Sequence, residues 1–148
     1  YEEAVLKYRL LHEHIANQRR DFLHKESRRI ANAWDAVCIR EDSLRAISGK
    51  LGGSAVHDTG FGMFRELLRY KLERQGKQLL EVDRLVPTTK VCSACGAVNE
   101  TLSIRARRWV CPVCGAEHRR GMNAAINIKA SGLVKGQSQQ AAAALPLL

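Results

Sequence analysis

The chain has 148 residues, with Lys+Arg 24 against Asp+Glu 15 and a formal net charge of +9, a length that allows one ordinary domain or two small ones and excludes a large multidomain enzyme. With 45% hydrophobic but only 5% aromatic residues it can build a modest, mainly aliphatic core, which excludes disorder throughout. The basic balance makes a phosphate-bearing partner the first expectation and an anionic membrane surface the alternative.

From Glu2 to Ala33 there is no Pro or Gly. Tyr8, Leu11, Ile15 and Phe22 recur at roughly helical spacing, and Arg19, Arg20, Lys25, Arg28 and Arg29 fill much of the polar surface. One long basic amphipathic helix is predicted. Because the chain starts at Tyr1 rather than Met, inside that helix, the natural protein is expected to extend further upstream. Next, AWDAVCIRE places Val37 and Ile39 in β-type alternation and delivers Glu41 at the end of the strand. A glycine-rich loop, SGKLGGS, follows.

Asp58 or Thr59 is placed to cap a second helix whose apolar face is Phe61, Phe64, Leu68 and Leu72, with Gly76 as its stop. QLLEVDRLV alternates Leu80 and Val82 with charge before Pro87, as in a strand entering a new module. After the cysteine-containing stretch, MNAAINIKA reads as a short closing helix ended by Gly132. The uncharged GQSQQAAAALPLL is expected to fray without a chemical role. No run approaches the roughly 18 apolar residues of a membrane span, and no signal peptide opens the chain, so a soluble, intracellular location is expected.

Four of the five cysteines form Cys92-Ser-Ala-Cys95 and Cys111-Pro-Val-Cys114, with 15 residues between the pairs. That spacing suits a four-thiolate zinc site. Gly96 and Gly115 follow the pairs and permit the tight turns that aim sulfurs and backbone N–H groups at one ion. Two disulfides or a redox CxxC are the competing readings. Leu102, Ile104, Trp109 and Val110 are nearly all the large apolar residues of this insert. Burial alone therefore cannot fold it, whereas structural zinc supplies on the order of 10 kcal/mol or more. Four protein thiolates leave no open position for water, so the metal is structural rather than hydrolytic.

The basic excess concentrates here. Residues 84–135 carry 9 Lys and Arg against 2 acids, whereas residues 35–83 carry 8 of each. Arg105, Arg107 and Arg108 lie between the pairs, and Arg119 and Arg120 follow them, giving a cationic surface for phosphates or a solvated hairpin. Trp109 either stacks on a base or packs beside the metal. Cys38 reads as a small buried residue rather than a nucleophile. His12, His14, His24, His57 and His118 are too scattered for a shared site, and four cysteines already complete the ribbon's ligand set.

The order of motifs is itself informative: LHEHIANQRRDFLHKESRRI, VCIREDSL, DTGFGMFRELLRYKLERQG, TTKVCSACG and WVCPVCGAEHRRGMNAAINI. Together, over about residues 5–130, they resemble the C-terminal part of the OrfB/TnpB family of transposon-encoded proteins, related to type V CRISPR effectors. The resemblance implies an α/β, partial RNase H-like (RuvC-type) fold with an inserted zinc ribbon. Its parts are a nuclease segment at 1–86, the ribbon at 87–118, the closing helix at 119–133 and a tail at 134–148. It also implies RNA-guided DNA cleavage in a prokaryotic cytosol, with DNA and guide RNA as partners.

Such chemistry uses three acids that hold two divalent ions, typically Mg²⁺, about 3.5–4 Å apart. Glu41 matches the second acid, and the first belongs upstream of Tyr1. The family's Asp-Arg-Asp-x-Asn-Ala-Ala pattern, whose second Asp is catalytic, here reads Arg119-Arg120-Gly121-Met122-Asn123-Ala124-Ala125. Gly121 replaces a carboxylate. Glu41 alone offers one negative charge to two divalent ions, so Mg²⁺ is not expected to bind productively and the chain is not expected to cut DNA by itself. Binding without cutting, or a ribbon that meets nucleic acid or an acidic protein without using its nuclease ancestry, are the alternatives.

Overall fold

The computed structural model describes residues 1–41 and 60–143. The glycine-rich loop and the candidate caps Asp58 and Thr59 lie outside them. In chain order the elements are α1 (Glu2–Ala33), β1 (Ala36–Arg40), α2 (Phe61–Glu73), β2 (Gln78–Val82), β3 (Arg108–Val110), β4 (Glu117–Arg119) and α3 (Arg120–Ala143). They fall into two compact units: Tyr1–Ala36 with Ser43–Leu79, and Val37–Asp42 with Leu80–Leu148.

In the first unit α1 is the single long helix its composition predicts. Glu2 and Glu3 in its first turn complement the macrodipole. The i,i+4 pairs Lys7–Glu3 at 2.8 Å and Lys25–Asp21 at 2.6 Å line its surface. The packing face is not the predicted one. Tyr8, Leu11, Ile15 and Phe22 are exposed, and the buried residues are Leu23, Ser27 and Ala31. Length explains the difference. At 1.5 Å per residue the 13 residues of α2 span only about 20 Å, so α2 covers only part of the 32-residue α1.

Helix α2 answers with Leu67, Leu68, Lys71 and Leu72, while Phe61 is exposed and Phe64 half-buried. Lys71 enters this core because Nζ donates to the His24 carbonyl and to Ser27 Oγ, both at 2.6 Å. Ser27 Oγ in turn donates to the Leu23 carbonyl at 2.6 Å. Burial, with Arg28 nearby, holds the Lys71 ammonium below its ordinary pKa. Gly60 precedes α2 at φ 66°, where a Cβ would stand 2.8 Å from Leu23 Cδ1. Gly76 ends the α2 region as predicted: at φ 64° its N–H reaches Glu73 O, and Lys77 N–H reaches Leu72 O.

Strand β1 pairs with β2. Backbone bonds join Gln78 N to Asp35 O at the strand starts and Glu41 N to Val82 O at their ends, so the two run in the same direction. Leu80 and Val82 are buried as their alternation predicts. The closing helix is longer than predicted. It runs through Gly132 to Ala143, taking in much of the stretch read as a tail. Gly132 does not stop the helix; it serves as a notch. A Cβ there would lie 2.7 Å from Cys38 Sγ, and one at Gly136 would lie 3.1 Å from Leu80. Both glycines let α3 approach the strands, and Ala141–Ala143 favour its continuation.

Candidate metal centre and basic face

The two cysteine pairs form matching backbone loops. Cys92 N–H donates to Ala97 O and Gly96 N–H to Cys92 O, both at 2.8 Å. Cys111 N–H donates to Ala116 O at 2.8 Å and Gly115 N–H to Cys111 O at 3.0 Å. Each loop turns through its glycine at positive φ, 78° at Gly96 and 72° at Gly115. The predicted need for glycine after each pair is therefore met for a conformational reason.

All four sulfurs lie within 4.8 Å of one another. Cys92–Cys114 and Cys95–Cys111 are each 3.7 Å apart, well beyond a disulfide bond, and all five cysteines are free. Tetrahedral ligation with bonds of about 2.3 Å demands sulfur separations of about 3.8 Å, so the tetrad fits one ion. Two of the thiols are shifted in opposite directions. Cys111 is drawn down to about 6, first by the backbone N–H groups of Cys114 and Val113. Cys95 is pushed up to about 12, because the neighbouring Cys114, Cys92 and Cys111 thiols and burial outweigh the lowering effect of the Ala97 N–H.

Around the tetrad Cys92, Leu102, Trp109 and Cys111 form a small core, with Ala97 and Ala106 against it. Strands β3 and β4 pair antiparallel with Arg108 opposite Arg119, Trp109 opposite His118 and Val110 opposite Glu117. Trp109 is 7% exposed and its ring lies 4.7 Å from that of His118. Of its two readings, the packing one is what the structure shows. The opposite face of the hairpin sets Arg108 directly beside Arg119, both exposed. Arg105, Arg107, Arg120 and Gly121 line a neighbouring concavity. Arg105 and Arg107 are exposed, whereas half-buried Arg120 donates to the carbonyls of Ser103 and Ile104.

Two residues without a role in the sequence analysis, Asn123 and Asn127, fasten the ribbon to α3. Asn123, 1% exposed, accepts from Ser93 N–H at 2.9 Å and donates to Val91 O at 2.7 Å. Asn127 donates to Thr88 O and Val91 O, each at 2.8 Å. Their i,i+4 spacing, which puts two amides on one helix face, was the available signal. His118 was likewise set aside, yet its Nε2 lies 3.1 Å from Cys92 Sγ. Cys38, expected to be buried, is half-buried, its Sγ 3.8 Å from Lys129 O.

Glu41 is exposed just beyond β1. Among the described residues, the cysteine tetrad is the set of three or more His, Cys, Asp or Glu side chains close enough to share an ion. Gly121, in the first turn of α3, is exposed, and a Cβ there would meet nothing within 4 Å. Sterics therefore do not demand glycine at that position.

The molecule is thus an α/β protein in which a four-cysteine ribbon joins a strand pair to a long helix. Residues 61–128 match the Cas12f1-like TNB domain family. A nominal RNA-guided DNA endonuclease of Streptomyces pristinaespiralis is 38% identical over 134 residues, covering 89% of this chain and 33% of that protein. InsQ of Escherichia coli K12, of the same nominal activity, is 28% identical over 148 residues, covering 89% of this chain and 37% of its own. In a CRISPR-Cas12f ternary complex solved by cryo-EM, a chain 21% identical superposes with a TM-score of 0.60, over 81% of this chain and 25% of that one. The present chain spans about a third of the length of the curated relatives it matches. These similarities bear out the resemblance read from the motifs: the chain is related to OrfB/TnpB proteins.

Proposed function

We propose that the chain is the C-terminal, nucleic-acid-holding part of an OrfB/TnpB-like RNA-guided DNA endonuclease and does not cut DNA by itself. In this reading residues 1–86 are part of a RuvC-type, RNase H-like body that residues 119–133 help complete. Residues 87–118 are a ribbon held by zinc on Cys92, Cys95, Cys111 and Cys114. The tetrad's sulfur spacing and all-thiolate donor set favour zinc, which when bound supplies folding energy and leaves no position for a reacting water. DNA, and guide RNA in the complete protein, are the partners.

The observation that carries the binding reading is the register of the hairpin. Like charges placed directly opposite each other on a sheet destabilise it, yet Arg108 faces Arg119. A phosphate backbone relieves that repulsion, and Arg105, Arg107 and Arg120 extend the cationic surface beside it. Loss of cutting follows from Gly121. With Glu41 as the remaining family acid, too little negative charge faces two divalent ions. The same change leaves a helix start without an acid in its first turn, which suits a phosphate better than a metal.

Replacing Arg105, Arg107 and Arg108 by Ala tests the surface. If each contacts a phosphate, the salt slope of log K falls by about 2–3, at roughly 0.7–0.9 per contact. An unchanged slope overturns this placement. Gly121→Asp, made in a chain joined to the upstream part of a relative, tests the lost acid. Magnesium-dependent cutting by the Asp variant and not by its Gly parent is expected, and cutting by the Gly parent contradicts the reading.

A further inference from the structure

The four sulfurs converge on one point, within 4.8 Å of one another. Four thiolates around one divalent ion leave a net charge of −2, and N–H donors that point at sulfur spread that excess charge and hold each ligand in place. Cys111 receives such donors from the backbone of Val113 and Cys114, and Cys95 receives one from Ala97. At Cys92 a side chain lies within hydrogen-bond reach: His118 Nε2, 3.1 Å from Sγ.

We propose that His118 is a positioning residue of the metal centre, a fixed N–H donor to the Cys92 thiolate rather than a fifth candidate ligand. A metal-bound thiolate carries no proton, so it can only accept in this bond and the ring must present Nε2–H. The ribbon's architecture sets that geometry. β-pairing places His118 opposite Trp109, so both side chains leave the hairpin on the face away from Arg108 and Arg119. Trp109 lies against the imidazole with ring centroids 4.7 Å apart and planes inclined at 40°. Cys92 is 1% exposed. In that dry setting a hydrogen bond to a charged acceptor is strong, and its loss leaves the charge uncompensated.

The bond also links the two ends of the module. Cys92 belongs to the first CxxC loop and His118 to the strand that immediately precedes α3. Asn123 holds the neighbouring Ser93 N–H from α3 itself. Removing the imidazole donor is therefore expected to loosen the metal on the Cys92 side without changing the ligand set.

The proposal rests on the metal reading of the tetrad, and the experiment separates the two. The whole chain is loaded with Zn²⁺ and titrated with a chromophoric chelator, and loaded in parallel with Co²⁺ for absorption spectra. His118→Phe keeps a ring against Trp109 and removes the donor, while His118→Gln retains an N–H. We expect a four-sulfur cobalt spectrum in the unaltered protein. His118→Phe should weaken zinc about tenfold or more and move the sulfur-to-cobalt charge-transfer band to lower energy, with His118→Gln recovering much of both.

Equal affinity and an unshifted band in His118→Phe overturn the proposal. So does a Gln variant no better than Phe, which would reduce His118 to packing. A three-sulfur, one-nitrogen spectrum in the unaltered protein makes His118 a ligand and also overturns it. Failure of the unaltered protein to bind either metal overturns the metal reading itself. Should His118→Phe not fold, the unaltered spectrum and the Gln variant still decide.

Discussion

The two regions of this protein solve the same problem, building a core from few large residues, by different chemistry. The α1–α2 pair buries Leu23, Ala31, Leu67, Leu68 and Leu72 and inserts Lys71 only by giving its ammonium a carbonyl and a hydroxyl. The ribbon buries Cys92, Leu102, Trp109 and Cys111, and two of those four are candidate metal ligands. The helical pair therefore owes its stability to aliphatic burial. In the proposed reading the ribbon owes its stability to an ion on Cys92, Cys95, Cys111 and Cys114, which frees its surface to carry arginines that a conventional hairpin would avoid placing face to face.

The sharpest way to break that contrast is to remove the metal. Chelation or Cys92→Ser is expected to cost the ribbon on the order of 10 kcal/mol. Residues 88–118 should lose hydrogen-exchange protection while α1 and α2 keep theirs; equal loss in both regions would refute the division. Acidification should act in the same direction. With Cys95 pushed up to about 12, its thiol holds a proton that zinc must displace, so zinc affinity should rise with pH across the neutral range. A pH-independent chelator titration would contradict thiolate ligation.

The converse change is Leu72→Ala, at a fully buried position of α2. A loss of about 2–5 kcal/mol is expected in denaturant unfolding of the helical pair, with zinc affinity unchanged. Smaller effects probe how α3 is seated. Asn123→Ala strands the Ser93 N–H and should cost about 1–3 kcal/mol, seen as faster amide exchange at the first CxxC loop. Gly132→Ala forces a methyl group to 2.7 Å from Cys38 Sγ and should cost about 1–3 kcal/mol. Because that sulfur belongs to β1, Gly132→Ala should perturb the Glu41 strand and spare the ribbon.

What could be read from the sequence follows the same contrast. The ribbon was legible because metal ligation fixes residue type, spacing and the glycines that follow each pair; Cys92 to Gly115 could be assembled from those rules. The helices' existence was legible from periodicity, but their packing faces were not. Periodicity shows that Tyr8, Leu11, Ile15 and Phe22 share a surface without showing whether a partner is long enough to cover it. Gly132 misled for a related reason. A glycine late in a helical pattern looks like a stop until the strand it admits is seen. His118 and Asn123 escaped notice because their partners, Cys92 Sγ and Ser93 N–H, are 26 and 30 residues away.

The most direct test of the account is binding of the zinc-loaded chain to single-stranded DNA, duplex DNA and structured RNA across a salt series, repeated after chelation and with magnesium added. The account predicts salt-sensitive binding that weakens when zinc is stripped and that never proceeds to magnesium-dependent cutting. Cleavage by this chain alone, or the absence of any nucleic-acid binding by the loaded ribbon, would contradict it.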